Sequence, residues 1–122
     1  MTRRKGLTDA DWQALKREMR NILIGLARIE QTIAYSELAA QLRTAYIHYR
    51  APAFGAILRE IAEDDEAAGR PSLATLVVNK ATGRPGGGYF KHAGSSGANV
   101  SDLEAYWQAR FRSVCDYWQN ND

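Results

Sequence analysis

The sequence predicts an α+β fold, mainly helical with one small β-hairpin. Three observations carry that expectation. Apolar residues recur at three- and four-residue spacing in two long stretches, one near each end of the 122-residue chain. Two shorter helical patterns lie between them, separated by a polar, aromatic connection. Then comes "LATLVVNKATGRPGGGYFKH", residues 73 to 92, where an apolar run passes through a cationic, glycine-loaded tip to Tyr89-Phe90.

The first long helix is predicted over 9–29. Thr8 with Asp11 suits a helix start, and Trp12, Leu15, Met19, Ile22, Leu23, Leu26 and Ile29 form one apolar stripe. In "QTIAYSELAAQL", Thr32, Ile33 and Tyr35 favour a short extended piece, and Ser36 can cap a helix through Leu38 and Leu42. The connection "RTAYIHYRA", 43–51, follows. Pro52 suits a first helical turn, Phe54, Ile57, Leu58 and Ile61 supply an apolar stripe, and Gly69 can end that helix. Leu73 to Asn79 reads as a strand, "KATGRPGGG" as its turn, and Tyr89-Phe90-Lys91 as the returning strand. "HAGSSGAN", 92–99, has linker composition. Ser101 with Glu104 forms a capping box for a last helix, 101–118, carrying Leu103, Trp107, Phe111, Val114 and Trp118 on one face. Helix, turn, helix and hairpin in this order make a winged helix-turn-helix, 32–92, flanked by long N- and C-terminal helices within one domain, 1–122.

Composition narrows the function. With 45% apolar residues a packed core is expected rather than disorder. The lone Cys115 excludes an internal disulfide and suits a reducing cytoplasm. No apolar run reaches the roughly 18 residues of a membrane span, and none follows the basic Met1 to Lys5 stretch as in a signal peptide. A soluble cytoplasmic protein without membrane association is expected. The net charge of +2 is small, but its distribution is uneven. Leu38 to Arg59 and Ala67 to Ser101 hold basic residues and no acid, while Glu60 and Glu63-Asp64-Asp65-Glu66 concentrate negative charge between them. That acidic run lacks the glycine and spacing of a calcium loop and reads as a solvated helix end. His48 and His92 lie far apart, so no metal site is expected, and no nucleophile elbow, Walker loop or dinucleotide fingerprint occurs in its required context. Neither cofactor nor catalysis is predicted.

A cationic hairpin rich in glycine suits phosphate, since acids there would be repelled and glycine lets backbone approach closely. "IAYSELAAQL", "APAFGAILREIA", Pro71, an apolar strand and "GRPGGGYF" together resemble the DNA-binding domain of alkylguanine-DNA alkyltransferases and alkyltransferase-like proteins. The similarity covers 32–90, with Tyr35, Ser36 and the hairpin glycines matching best. It implies a winged-helix fold and a DNA partner. It does not imply repair chemistry, because the family's Cys-His pair after the proline is replaced by Ser72-Leu73.

The first functional expectation is a non-catalytic DNA-binding protein. Helix 52–62, with Arg59, faces the major groove. Tyr46, His48, Tyr49 and Arg50 lie in the loop before it, where aromatics can stack on an unpaired or flipped base. Tyr35 and Ser36 sit at the preceding helix start, and Lys80, Arg84, Gly86, Gly87 and Lys91 contact backbone from the hairpin. The second is a protein-interaction module, with a second copy or another protein held by the wide apolar faces of the terminal helices.

Overall fold

The computed structural model describes residues 3–95 and 102–121. The order is β1 (Arg3–Arg4), β2 (Leu7–Thr8), α1 (Asp9–Arg28), β3 (Ile33–Ala34), α2 (Tyr35–Gln41), α3 (Pro52–Ala67), a 3₁₀ turn (Leu73–Leu76), β4 (Val77–Val78), α4 (Gly87–Ser95) and α5 (Leu103–Asn120). The chain is mainly helical, as expected.

Both long helices form where their periodicity places them. The Thr8 hydroxyl caps α1 by accepting from the Asp11 amide at 3.1 Å. At the other end Glu30 takes φ +57°, and the Gln31 amide returns to the Leu26 carbonyl at 3.0 Å, closing the last turn. Trp12, Leu15, Met19, Leu23 and Ala27 of α1 are buried, as are Trp107, Val114, Cys115 and Trp118 of α5. The two helices pack on each other and on the 3₁₀ turn, and α3 packs on the turn and α1. Phe54, Ile57 and Ile61 of α3 and Leu38 of α2 complete one core. Full burial of each such side chain contributes about 1.5–3 kcal/mol, so the flanking helices are integral to the domain.

Several expectations are corrected. The 73–91 hairpin does not form. β4 pairs in parallel with β3, Ile33 opposite Val77 and Ala34 opposite Val78, and Tyr89–Lys91 does not return to it as a strand. Leu73–Leu76 is 3₁₀ rather than strand because its amides are diverted. The Asp65 carboxylate takes the Leu73 amide at 2.9 Å, and the Ser72 hydroxyl takes that of Ala74 at 3.2 Å. Tyr89-Phe90-Lys91 is helical within α4, where the Tyr89 hydroxyl hydrogen-bonds Thr75 Oγ1 at 2.9 Å. Ser36 lies inside α2 and is not its cap; the Glu37 carboxylate takes the Ala34 amide instead, at 3.0 Å. Of the linker read at 92–99, residues 92–95 close α4; the remainder and the Ser101 cap lie outside the described residues. Asp102 caps α5, accepting from the Ala105 amide at 3.1 Å.

Among the described residues a hairpin forms instead near the N-terminus, where β1 and β2 pair antiparallel around Lys5 and Gly6. Both turn residues have positive φ, +49° and +88°, as a two-residue hairpin turn requires. Among the described residues no helix is long and apolar enough to cross a membrane.

Candidate nucleic-acid interface

Helix α3 places Pro52, Gly55, Ala56, Arg59 and Ala62 along one stripe. Most are small, so this face is a trough rather than a ridge. The 3₁₀ turn, the start of α4 and the residues Tyr106 and Arg110 of α5 wall it off. The result is a cavity of about 710 Å³, within the range of sites that hold small organic groups. Its half-buried and buried lining includes Tyr35, Ala62, Pro71, Ser72, Ala74, Thr75, Tyr89 and Tyr106, and its exposed rim includes Lys5, Gly55, Arg59, Glu66 and Arg110.

The floor is held by hydrogen bonds from three directions. Asp65, fully buried, accepts from Arg20 at 2.9 Å, Arg70 at 2.7 Å and the Leu73 amide, fixing the turn that carries Ser72. The indole of Trp107 donates to the Thr75 carbonyl at 2.9 Å. The Tyr35 hydroxyl accepts from the Gly86 amide at 3.0 Å, tying the start of α2 to the glycine segment. Burial pushes the Tyr89 hydroxyl up to about 12, against the opposing hydrogen bond from Thr75, and burial also raises Tyr106. Both phenols stay neutral and keep donor as well as acceptor capacity.

Lys5, Arg59, Arg70 and Arg110 line the cavity against one carboxylate, Glu66. Arg70 is committed to Asp65. Among the described residues Lys5, Arg59 and Arg110 form no ion pair.

The loop residues gather elsewhere. Ser36, Tyr46, His48 and Tyr49 line a smaller groove of about 270 Å³ between α2 and the loop before α3. His48 stacks on Tyr49, with ring centroids 4.7 Å apart, and its Nδ1 accepts from the Arg50 amide at 3.1 Å. The Arg50 guanidinium lies 5.4 Å from the Tyr49 ring centre. Tyr46 is 89% exposed, so its ring is available for stacking.

The structure thus divides the sequence-predicted residues. Tyr35 and Arg59 meet at the cavity, and Ser36, Tyr46, His48, Tyr49 and Arg50 form the loop cluster. Gly86 precedes α4 with its amide engaged by Tyr35, and Gly87 and Lys91 are exposed on α4. Lys80 is exposed in the loop after β4. Arg84 is occupied differently from expectation. Its guanidinium forms a two-point contact with Glu104, at 2.7 and 2.6 Å, and lies 4.2 Å from the Trp107 ring centre. The Arg84 hydrogen bond holds the Glu104 carboxyl at about 2.

The acidic run is also corrected. Glu63, Asp64 and Glu66 are exposed as a solvated end requires, but Asp65 is buried, and with Glu60 and Asp64 it joins the seam between α3 and α1. Lys16 reaches Glu60 at 3.0 Å and Asp64 at 2.5 Å, Arg4 bonds Glu60, and Asp65 holds Arg20. Lys5, Arg70, Ser72, Tyr89, Tyr106 and Arg110 were not anticipated at a site. Spacing offers a signal for some of them: Tyr106 and Arg110 are four apart on α5, and the small residues of α3 recur at helical spacing. Among the described residues no group of three His, Cys, Asp or Glu side chains is placed to hold a metal ion. Comparison of the chain with family models, with curated proteins and with solved structures gives no match.

Proposed function

We propose that the protein is a non-catalytic DNA-binding protein of helix-turn-helix type, with the N-terminal half of α3 turned to the duplex and the adjoining cavity accepting an unstacked base. The single observation that carries this reading is the cavity itself, formed by the small-residue face of α3, floored by tyrosines and rimmed by cations that form no ion pair among the described residues. A base is planar and stacks on such phenols, and its flanking phosphates are anionic. Glu60, Asp64 and Asp65 of the same helix are paired with Arg4, Lys16 and Arg20, which leaves Glu66 as the carboxylate of that helix that lines the cavity. The N-terminal end of α3 also presents a positive helix dipole. Tyr46 and the His48–Tyr49 stack flank the entry to α3 and supply further aromatic surface. The rival reading, partner binding through the terminal helices, has less apolar surface to use, because Trp12, Met19, Trp107, Val114 and Trp118 face the core while Ile29 and Leu103 stay exposed.

Catalysis is not part of the proposal. Ser72 lies in the cavity wall, but its hydroxyl accepts from the Ala74 amide, and burial lifts the Cys115 thiol to about 11, far from a reactive thiolate. Incubation with alkylated-guanine DNA should leave the intact mass unchanged. An adduct on Cys115 or Ser72 would overturn this.

Anisotropy with a labelled duplex across salt concentrations tests binding, and a steep negative slope of log K against log salt is expected. Duplexes carrying a mismatch should bind more tightly than the paired control, because the base leaves the stack more easily. A flat salt slope sinks the DNA reading; equal affinity for both duplexes removes the cavity from it.

A further inference from the structure

We infer that Lys5, at the tip of the N-terminal ribbon, joins Arg59 and Arg110 in a phosphate-binding site at the rim of the cavity. As to its source of phosphate, the inference rests on the DNA reading above; as to its chemistry, it does not.

The ribbon is anchored by one residue and presents the next. Arg4 bonds Glu60 on α3, and its guanidinium lies 3.8 Å from the Trp12 ring centre. The adjacent Lys5 lines the cavity. On α3 the arrangement is mirrored, since Glu60 takes Arg4 while neighbouring Arg59 lines the cavity. The anchor and the presented charge are therefore separate, and changing Lys5 leaves the anchor intact.

Two features make Lys5 unusual as mere surface charge. It holds φ +49°, a left-handed conformation that Asn, Asp or Gly adopts with less strain. It also brings positive charge to a rim already carrying Arg59 and Arg110. None of the three has an ion pair among the described residues, and Glu66 is the lone carboxylate of the described lining, so positive charge outweighs negative around the cavity. Arg110 acts inward as well: its charge opposes the rise of both Tyr89 and Tyr106. Such a lining favours an entering anion. A phosphate offers three or more acceptor oxygens, enough for a lysine and two guanidinium groups, while the phenols and small residues below accommodate the group it carries. The fitting chemical class is a nucleotide phosphate, either free or within a strand.

The test uses the full chain at low ionic strength. Amide and arginine Nε resonances are followed while inorganic phosphate, then thymidine 5′-monophosphate, is added, with chloride as control. Shifts at Lys5, Gly6, Arg59 and Arg110 are expected, with tighter binding of the mononucleotide. Lys5→Gln should weaken phosphate roughly tenfold, the scale of one charge-assisted hydrogen bond, and Lys5→Arg should restore it. Arg17→Gln, an equal charge change on the exposed face of α1, should do nothing. Absence of shifts at the three cations, or equal loss in Lys5→Gln and Arg17→Gln, would overturn the site. A 12-base-pair duplex then distinguishes the sources. If the strand supplies the phosphate, Lys5→Gln lowers the salt slope by about 0.9. If the parent protein shows no salt-dependent duplex binding, the DNA reading fails, while the phosphate and mononucleotide titrations still decide the site.

Discussion

The α1–α3 seam and the rim of the cavity hold the same kinds of residue on the same helix and use them in opposite ways. In the seam, Glu60, Asp64 and Asp65 meet Arg4, Lys16 and Arg20, and Asp65 is fully buried. At the rim, Arg59 is one residue from Glu60 yet is exposed and, among the described residues, unpaired. Helix geometry explains the split: neighbours in sequence lie about 100° apart around the axis, so one faces a packed helix and the next an open trough. Paired charge in a seam centred on a buried carboxylate reads as structure. Unpaired like charge around a cavity reads as a place for an anion.

That contrast can be broken by removing the seam's centre. Asp65→Ala leaves Arg20, Arg70 and the Leu73 amide without their acceptor, and unfolding free energy in urea should fall by about 3–5 kcal/mol. A loss below about 1 kcal/mol would place Asp65 among surface pairs and dissolve the distinction. Trp107→Ala addresses the floor beneath the rim, deleting a core ring and its bond to the Thr75 carbonyl. A destabilisation of about 3–5 kcal/mol is expected, with a midpoint independent of protein concentration. A concentration-dependent midpoint in the parent would point instead to a dimer built from the terminal helices.

Arg59→Ala is the converse case. Stability should stay within about 0.5 kcal/mol of the parent, as for an exposed side chain, while the slope of duplex binding against salt falls by about 0.9. Loss of stability without change of slope would move Arg59 to the structural class.

The smallest effect is a pH window for the seam. Burial raises Glu60, but hydrogen bonds from Lys16 and Arg4 outweigh it, so the carboxyl titrates below its ordinary 4.5. Burial lowers Lys16, but Asp64 and Glu60 outweigh it, so the amine titrates above 10.5. A depressed acid contributes stability above its unfolded value and loses it as pH falls; a raised base contributes below its unfolded value and loses it as pH rises. The stability difference between the parent and Glu60→Gln should be level between about pH 5 and pH 10 and shrink outside that window. A difference unchanged down to pH 2 would mean the carboxylate is not what the seam uses.

Sequence patterns located α1, α3 and α5 because a long helix with one buried face repeats its demand for apolar residues every three or four positions, and the stripes from Trp12 and from Trp107 contain enough repeats to be read. Arg59 and the loop aromatics were legible as candidates from residue type and from the acid-free run Leu38 to Arg59. The partner of a strand was not. Val77-Val78 and Tyr89-Phe90 have the composition of a hairpin, yet Val77-Val78 pairs in parallel with Ile33-Ala34, some forty residues earlier, and Tyr89-Phe90 is helical. Nor was the fate of a charge. Arg84 in a glycine-rich segment reads the same whether it meets a phosphate or, as here, Glu104 and the face of Trp107. Asp65 reads the same whether solvated or buried among Arg20, Arg70 and the Leu73 amide. The sequence by itself therefore determined which faces must be covered, since burial of apolar surface is additive and local in its pattern. Only the tertiary structure decided which edges pair, which charges are spoken for and which, such as Lys5 on its strained turn, are left to line a cavity. Those outcomes depend on distances of a few ångströms between residues far apart in the chain.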